Sequence, residues 1–253
     1  MSALQRIAIS TQQRQGDALT LTMEQRHYLR KVLRLRTGDR FIALDETDYS
    51  WVMALTEGGA AVIAPHCSPD QATTELTCRV TLQVAMPKTG MEDIIRQTTE
   101  LGVYRLQPVI SDRVILKPGA SKQQRWQRVA QEAAEQCERQ HWPRLGKACP
   151  LSAVFAAPPD PSAAVSPERV PPRRYICAAR RDAPSLLGAL NPSAKTDIWV
   201  ATGPEGGWTD KEITAAIAAG YQPVRLGNRI LRAVTAPVMV MALLAATYDQ
   251  SKI

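Results

Sequence analysis

The middle of the chain alternates between short apolar runs and longer amphipathic stretches. Residues 76–86 (LTCRVTLQVAM) alternate polar and apolar positions and then become apolar, which predicts a strand that enters a covered sheet. Residues 89–102 have the spacing of an amphipathic helix and end at Gly102, a residue type common just after a helix. A second predicted strand follows at 103–110, and a second predicted helix at 121–137.

The same alternation resumes after a proline-rich stretch. Residues 156–174 contain six prolines, and we interpret them as an inserted loop because strands and helices follow. The later predicted elements are strands 174–179, 197–202 and 223–227, and helices 185–190, 209–219 and 235–249. Thr209 and Glu212 form a predicted capping box, and Thr235 is the predicted N-cap of the last helix. This alternation predicts an α/β fold with a mostly parallel sheet.

The first 72 residues have a different pattern. Residues 21–39 predict a helix with Thr22 as N-cap and Gln25 completing a capping box. Three apolar residues of this helix are expected to face a core: Leu29, Val32 and Leu33. Three short β-like runs follow, namely 40–44, 50–55 and 60–64. We therefore expect a small β-barrel domain carrying one helix at 1–72 and an α/β domain at 73–253.

The charge of the chain indicates a polyanionic partner. The formal net charge is +7, and residues 1–40 hold eight Arg or Lys against three acidic residues. Nucleic acid is the commonest such partner, although a basic surface alone also explains an excess of this kind. Arg26, Arg30 and Arg34 recur every four residues and are expected to share one helix face. With Lys31 they are candidate RNA-binding residues, and a solvated helix face is the alternative.

Several functional classes are disfavoured. The five cysteines form no CxxC pair and the three histidines are scattered, so neither a disulfide framework nor a metal site is expected. The longest near-apolar run, 233–247, contains Pro237 and is shorter than the roughly 18 residues of a membrane span. No signal-peptide pattern is visible at the N-terminus. We expect a cytoplasmic protein without a metal or a membrane segment.

Two glycine-bearing loops follow predicted strands. The stretch GPEGG at 203–207 lies between a strand and a helix, which is where open α/β sheets bind ligands. Its spacing matches neither a dinucleotide-binding loop nor a Walker loop, and taken alone it favours a simple strand-to-helix turn. LGNRILR at 226–232 also leaves a strand, so the two loops are suited to form two walls of one pocket.

Several stretches also match a known family in the family's own order. GPEGGWTDKEI followed by LGNRILRAVTA is similar to a C-terminal signature, and HYLRKVLRLRTGD is similar to an N-terminal PUA-like domain. Residues 91–113 and 125–143 are similar to two regions between them. Together these stretches resemble the RsmE family of 16S ribosomal RNA (uracil-N3) methyltransferases, which belong to the SPOUT, or trefoil-knotted, superfamily.

The resemblance implies a fold, a cofactor and a substrate. The fold would be a knotted α/β domain with a mostly parallel sheet, and the protein would be a homodimer that binds S-adenosylmethionine. The substrate would be a uridine in the 16S RNA of the small ribosomal subunit. Backbone groups and aliphatic side chains of the two loops would form the cofactor site: Thr202, Gly203, Pro204, Glu205, Gly206, Gly207, Leu226, Gly227, Ile230, Leu231 and Arg232.

The chemistry of this reaction assigns candidate roles. Uracil N3 must lose its proton, so cations near O2 and O4 or a general base would help. Arg232 and Arg139 are the candidate cations, and Glu205 is either the base or a brace of its loop. The chain departs from the family at Val234, where an acid is usual, and around Arg139, where it reads CER. Two alternatives remain: a SPOUT methyltransferase with another target, such as a ribose 2′-oxygen, and a non-catalytic RNA-binding protein of ribosome assembly.

Overall fold

The computed structural model describes residues 4–45, 50–67, 74–114, 119–140, 142–156, 170–193 and 196–249. The chain divides into two compact units. The first consists of Met1–Glu75 with Gln131–Trp142, and the second of Leu76–Ala130 with Pro143–Ile253. Among the described residues, no helix is long and apolar enough to cross a membrane.

The first unit is built on a six-stranded sheet. Its strands are β1 (Arg6–Ala8), β2 (Arg14–Gln15), β3 (Ala18–Leu19), β4 (Arg40–Leu44), β5 (Ser50–Leu55) and β6 (Ala60–Cys67), with a short 3-10 helix at Thr11–Gln13. The strand order is β1-β4-β5-β6-β3-β2, and every pairing except β1 with β4 is antiparallel. The predicted strands are confirmed. The predicted closed barrel is not confirmed, because the pairings of the described residues form an open path.

The helix of the first unit begins as predicted and ends earlier. The helix α1 (Met23–His27) starts at Thr22, whose capping box with Gln25 is present. It continues as one π-helical stretch, Tyr28–Val32, in which the Leu33 N–H donates to the Tyr28 carbonyl 2.9 Å away, five residues back. Because this wider turn changes the side-chain spacing, Leu29 is buried while Val32 is 59% exposed. The prediction that Val32 faces the core was wrong.

The second unit contains a seven-stranded sheet in which every pairing is parallel, so the predicted parallel sheet is confirmed. Its strands are β7 (Val80–Ala85), β8 (Arg105–Ile110), β9 (Arg144–Leu145), β10 (Cys149–Pro150), β11 (Val170–Cys177), β12 (Thr196–Thr202) and β13 (Tyr221–Val224). The order is β10-β8-β7-β12-β11-β13, with β9 beside β8. The carboxyl ends of β12, β11 and β13 therefore meet along one edge.

Within the described residues, six helices follow the first strand of this sheet along the chain. They are α2 (Met91–Glu100), α3 (Ala120–Gln136), α4 (Leu151–Ala156), α5 (Leu186–Ala189), α6 (Asp210–Ala218) and α7 (Thr235–Tyr248). Leu82, Val200 and Leu244 are among the fully buried residues that join strands to helices in the main core. Because burying a side chain of this size contributes roughly 1.5–3 kcal/mol, this core holds the strand ends in place.

Three details differ from the sequence-based predictions. The N-cap of α7 is Val234 rather than Thr235, because the Arg232 carbonyl already accepts the N–H groups of Thr235 and Ala236. The strand predicted at 223–227 runs from 221 to 224. Of the predicted proline-rich loop, residues 157–169 lie outside the described residues, and 170–174 belong to β11.

Candidate cofactor site

A cavity of about 480 Å³ lies at the carboxyl ends of β11, β12 and β13. This volume falls within the roughly 300–1,000 Å³ typical of small-molecule sites. Three loops supply most of the lining: 177–181, 203–208 and 226–231. Both glycine-bearing loops singled out in the sequence therefore line one cavity. The predicted cofactor residues that line it are Gly203, Pro204, Glu205, Gly206, Gly207, Leu226, Gly227, Ile230 and Leu231.

The loop after β12 requires glycine at two positions. Gly207 has a φ of +70°, and its N–H donates to the Pro204 carbonyl at 2.8 Å, which closes a tight turn. A Cβ on Gly203 would lie 3.2 Å from the indole ring of Trp208. That ring is fixed because its Nε1 donates to the Cys177 carbonyl at 3.1 Å. The glycines thus allow the backbone to pass close to Trp208 and to border the cavity.

Two carboxylates connect this loop to its neighbours. Glu205 Oε1 accepts the Lys88 N–H at 2.9 Å, which joins the loop to the segment after β7. Glu212, only 7% exposed, accepts the Asp112 N–H at 2.9 Å and the Thr209 N–H at 2.8 Å. The predicted capping box of Thr209 and Glu212 is present. Glu212 therefore both starts α6 and holds the segment after β8.

The loop after β13 presents apolar side chains to the same cavity. Gly227 has a φ of +119°, which only glycine adopts readily. Ile230 is 66% exposed although it lines the cavity, so it offers an apolar surface to a ligand. Arg232 is exposed and Thr202 is buried, and neither contributes to the lining. Arg232 instead holds the start of α7 through its carbonyl.

Sequence reasoning missed two parts of this cavity. Arg113 lines it and donates from Nη1 to the Gly206 carbonyl, while a Cβ on Gly206 would lie 3.0 Å from Arg113 Cδ. A signal existed, since Arg113 ends the stretch 91–113 that carries the family resemblance. The loop 177–181 had no such signal, because only the strand order brings the end of β11 between β12 and β13.

Cys177 borders the cavity without being a nucleophile. Burial raises the pKa of its thiol to about 12, because the low-dielectric surroundings disfavour the thiolate. The thiol is therefore neutral at physiological pH, and its carbonyl serves as the acceptor for Trp208.

Arg139 is not among the residues that line this cavity. Its guanidinium is almost fully buried in the first unit, and Nη2 lies 2.5 Å from Glu75 Oε2. Nε lies 3.2 Å from both oxygens of the same carboxylate. A buried charge neutralised in this way by a salt-bridge partner acts as part of the scaffold.

The basic residues near α1 are arranged differently from a regular stripe. Arg26 donates to the Gly58 carbonyl at 2.9 Å and Arg30 to the Thr56 carbonyl at 2.7 Å, so both reach the turn between β5 and β6. Lys31 and Arg34 are exposed. Arg34 lies beyond the π-helical stretch and has a φ of +57°, so it does not continue the helix face of the other two.

A parallel sheet with a glycine-lined cavity at its carboxyl edge is typical of α/β proteins that bind a small ligand. The chain matches the family model described as an RNA methyltransferase domain over residues 74–245. It is 42% identical over 248 residues to the ribosomal RNA small subunit methyltransferase E of Synechocystis sp., covering 96% of this chain and 78% of that protein. The chain therefore belongs to the ribosomal RNA small subunit methyltransferase E family.

Other relatives support the same assignment. The ribosomal RNA small subunit methyltransferase E of Bacillus subtilis is 26% identical over 238 residues, which are 90% of each chain. The crystal structure of the Neisseria gonorrhoeae ribosomal RNA small subunit methyltransferase E, bound to S-adenosyl methionine, is similar at a TM-score of 0.78. The two chains are 26% identical, with 97% of this chain and 98% of that chain covered.

Proposed function

We propose that this protein transfers the methyl group of S-adenosylmethionine to N3 of a uridine in the 16S RNA of the small ribosomal subunit. The observation that carries the proposal is the single cavity lined by both glycine-bearing loops in a chain of this family. A relative covering almost the whole chain was solved with the same cofactor bound.

The residues of the cavity fit this cofactor. A cradle without side chains at Gly203, Gly206 and Gly207 lets backbone N–H and carbonyl groups approach an adenosine. Leu226 and Ile230 would supply apolar surfaces for the adenine ring. When bound, S-adenosylmethionine supplies an electrophilic methyl group on a positively charged sulfur.

The remaining chemistry belongs to the side chains of the protein. N3 of uracil becomes anionic as its proton passes to a solvent water, and the charge spreads to O2 and O4. Arg232, exposed at the start of α7, is proposed to stabilise that charge. Glu205 is assigned as a brace of its loop, since one of its carboxylate oxygens already accepts the backbone N–H of Lys88. Arg139 is assigned no part in the reaction, because its positive charge is neutralised by the salt bridge with Glu75.

The first unit is proposed to hold the RNA. A PUA-like function for its sheet is consistent with the basic residues around α1, and the proposed phosphate contacts are Arg26, Arg30, Lys31 and Arg34. The proposal also includes the trefoil knot, the homodimer and the cytoplasmic location that the family resemblance implies.

Product analysis tests this function directly. Radiolabelled S-adenosylmethionine is incubated with the protein and small ribosomal subunits that lack the modification, and the RNA is digested to nucleosides. Label in 3-methyluridine is the expected result. Label in another nucleoside would instead identify a SPOUT enzyme with a different target. Tight RNA binding without any label would support a non-catalytic role in assembly.

A further inference from the structure

A second cavity of about 360 Å³ lies at the carboxyl end of β7. Its lining comes from residues 86–93 and from two residues of α3, Lys122 and Trp126. Met86, Met91 and Trp126 are buried, so the cavity has an apolar floor. None of these three side chains lines the candidate cofactor site.

The rim of this cavity is cationic. Lys88 and Lys122 are exposed and line it, and within the described ranges neither ammonium group is in an ion pair. The two acidic residues of the lining are already compensated by arginines. Glu92 pairs with Arg125 at 2.8 Å and Asp93 pairs with Arg96 at 2.8 Å. The two lysines therefore leave an excess of positive charge beside the apolar floor.

A thin wall separates this cavity from the cofactor site, and two contacts contribute to it. In the first contact, the backbone N–H of Lys88 donates to Glu205, which lines the cofactor cavity. In the second, Gly90 lies so close to Val234 that a Cβ on Gly90 would lie 2.7 Å from Val234 Cγ1. An occupant of the second cavity thus lies next to the methyl donor site without entering it.

We propose that the second cavity binds a nucleotide of the RNA substrate that neighbours the methylated uridine. A nucleotide combines a flat base of low charge with a phosphate, and the cavity combines an apolar floor with two exposed lysines at its rim. The wall places this nucleotide beside the reacting one. This inference rests on the proposed RNA substrate, and it adds a specificity subsite within the methyltransferase unit itself.

Nucleotide binding can be measured without any methylation. The protein is labelled with methyl-¹³C methionine, and saturating S-adenosylhomocysteine is added so that the cofactor cavity is filled. Uridine 5′-monophosphate is then titrated, with uridine and inorganic phosphate as separate probes. The signals of Met86 and Met91, identified from Met→Leu variants, are expected to shift most with the nucleotide. Shifts that appear only without S-adenosylhomocysteine, or no shifts at all, would overturn the proposal.

A matched pair of charge reversals on α3 tests the rim. Lys122→Glu is expected to weaken nucleotide binding at least about tenfold, since a charged contact is worth roughly 1.5–3 kcal/mol. Arg128→Glu, an equal change at an exposed position of α3 outside the lining, should leave binding unchanged. Equal effects of the two variants, or wild-type binding by Lys122→Glu, would refute the subsite.

The RNA itself supplies the third readout. Replacing Lys88 and Lys122 by alanine should raise KM for the RNA and reduce the slope of log affinity against log salt by about 1.4, as expected for two lost phosphate contacts on single-stranded RNA. The kcat and the affinity for S-adenosylmethionine should stay near wild type. A loss of kcat at unchanged RNA affinity would overturn the assignment to a neighbouring nucleotide. If the product were not 3-methyluridine, these binding measurements would still decide the subsite.

Discussion

Gly207→Ala is expected to weaken cofactor binding by a calculable amount. Gly207 has a φ of +70°, and this left-handed conformation costs a residue with a Cβ about 1–2 kcal/mol. The added methyl would meet no atom within 4 Å, so conformational strain is the main penalty. If the turn from Pro204 to Gly207 relaxes in the free variant to relieve the strain, cofactor binding must restore the original, strained conformation of the turn. The affinity for S-adenosylmethionine should then fall about 5- to 30-fold.

Gly220→Ala is the matched control. Gly220 also has a positive φ, +83°, and open space around its added Cβ, but it lies at the end of α6 and outside the cavity lining. Gly220→Ala should lose about 1–2 kcal/mol of stability, which for a chain of this size lowers the melting temperature by about 2–4 °C per kcal/mol, and Gly207→Ala should lose less because its turn relaxes. Only Gly207→Ala should lose affinity in titration calorimetry.

The comparison has two outcomes that refute the reasoning. If Gly207→Ala is as destabilised as Gly220→Ala and binds the cofactor like the wild type, the turn does not relax, and strain in it does not weaken binding. If both variants lose affinity equally, the loss comes from general destabilisation of the second unit, and the local strain argument fails.

Three further substitutions test other parts of the structure. Glu212→Gln should cost roughly 1.5–3 kcal/mol in urea unfolding, because a buried charged acceptor of two N–H groups is lost; unchanged stability would contradict this. Arg232→Ala should lower kcat about 10²- to 10³-fold and stability by less than about 0.5 kcal/mol, and wild-type turnover of the folded variant would exclude its role. Burial raises the pKa of Glu135, so the folded state binds its proton more tightly and this contribution to stability is lost as the pH rises through that pKa. Glu135→Gln should therefore be more stable than wild type at neutral pH, with the advantage vanishing below the ordinary glutamate pKa; an advantage that persisted in acid would refute this cause.

Local sequence patterns predicted much of the fold because the interactions behind them join residues that are close in sequence. The capping boxes at Thr22 and Thr209 each depend on residues three positions apart, and both are present. Short β-like runs between turn residues likewise identified β4 and β5. The π-helical stretch at Tyr28–Val32 was not foreseen, because no residue in it breaks an α-helical pattern.

The site was only partly predictable because it depends on long-range order. The two glycine-bearing loops were visible, but the strand order decides that they meet and that β11 adds the loop 177–181 between them. Arg139 illustrates the same limit. Its position after a predicted helix suggested an available cation, whereas packing pairs it with Glu75, 64 residues away in sequence.

Two of the three acidic residues of GPEGGWTDKE explain how a loop with three glycines can be a fixed binding surface. Glycine lowers the strain of the turn but adds freedom to the unliganded chain, which would weaken ligand binding. Glu205 and Glu212 oppose this freedom because each accepts an N–H from a different neighbouring segment, at Lys88 and Asp112. The loop is thereby held on both sides before any ligand arrives. It follows that the carboxylates contribute to cofactor affinity through preorganisation, without having to touch the cofactor themselves.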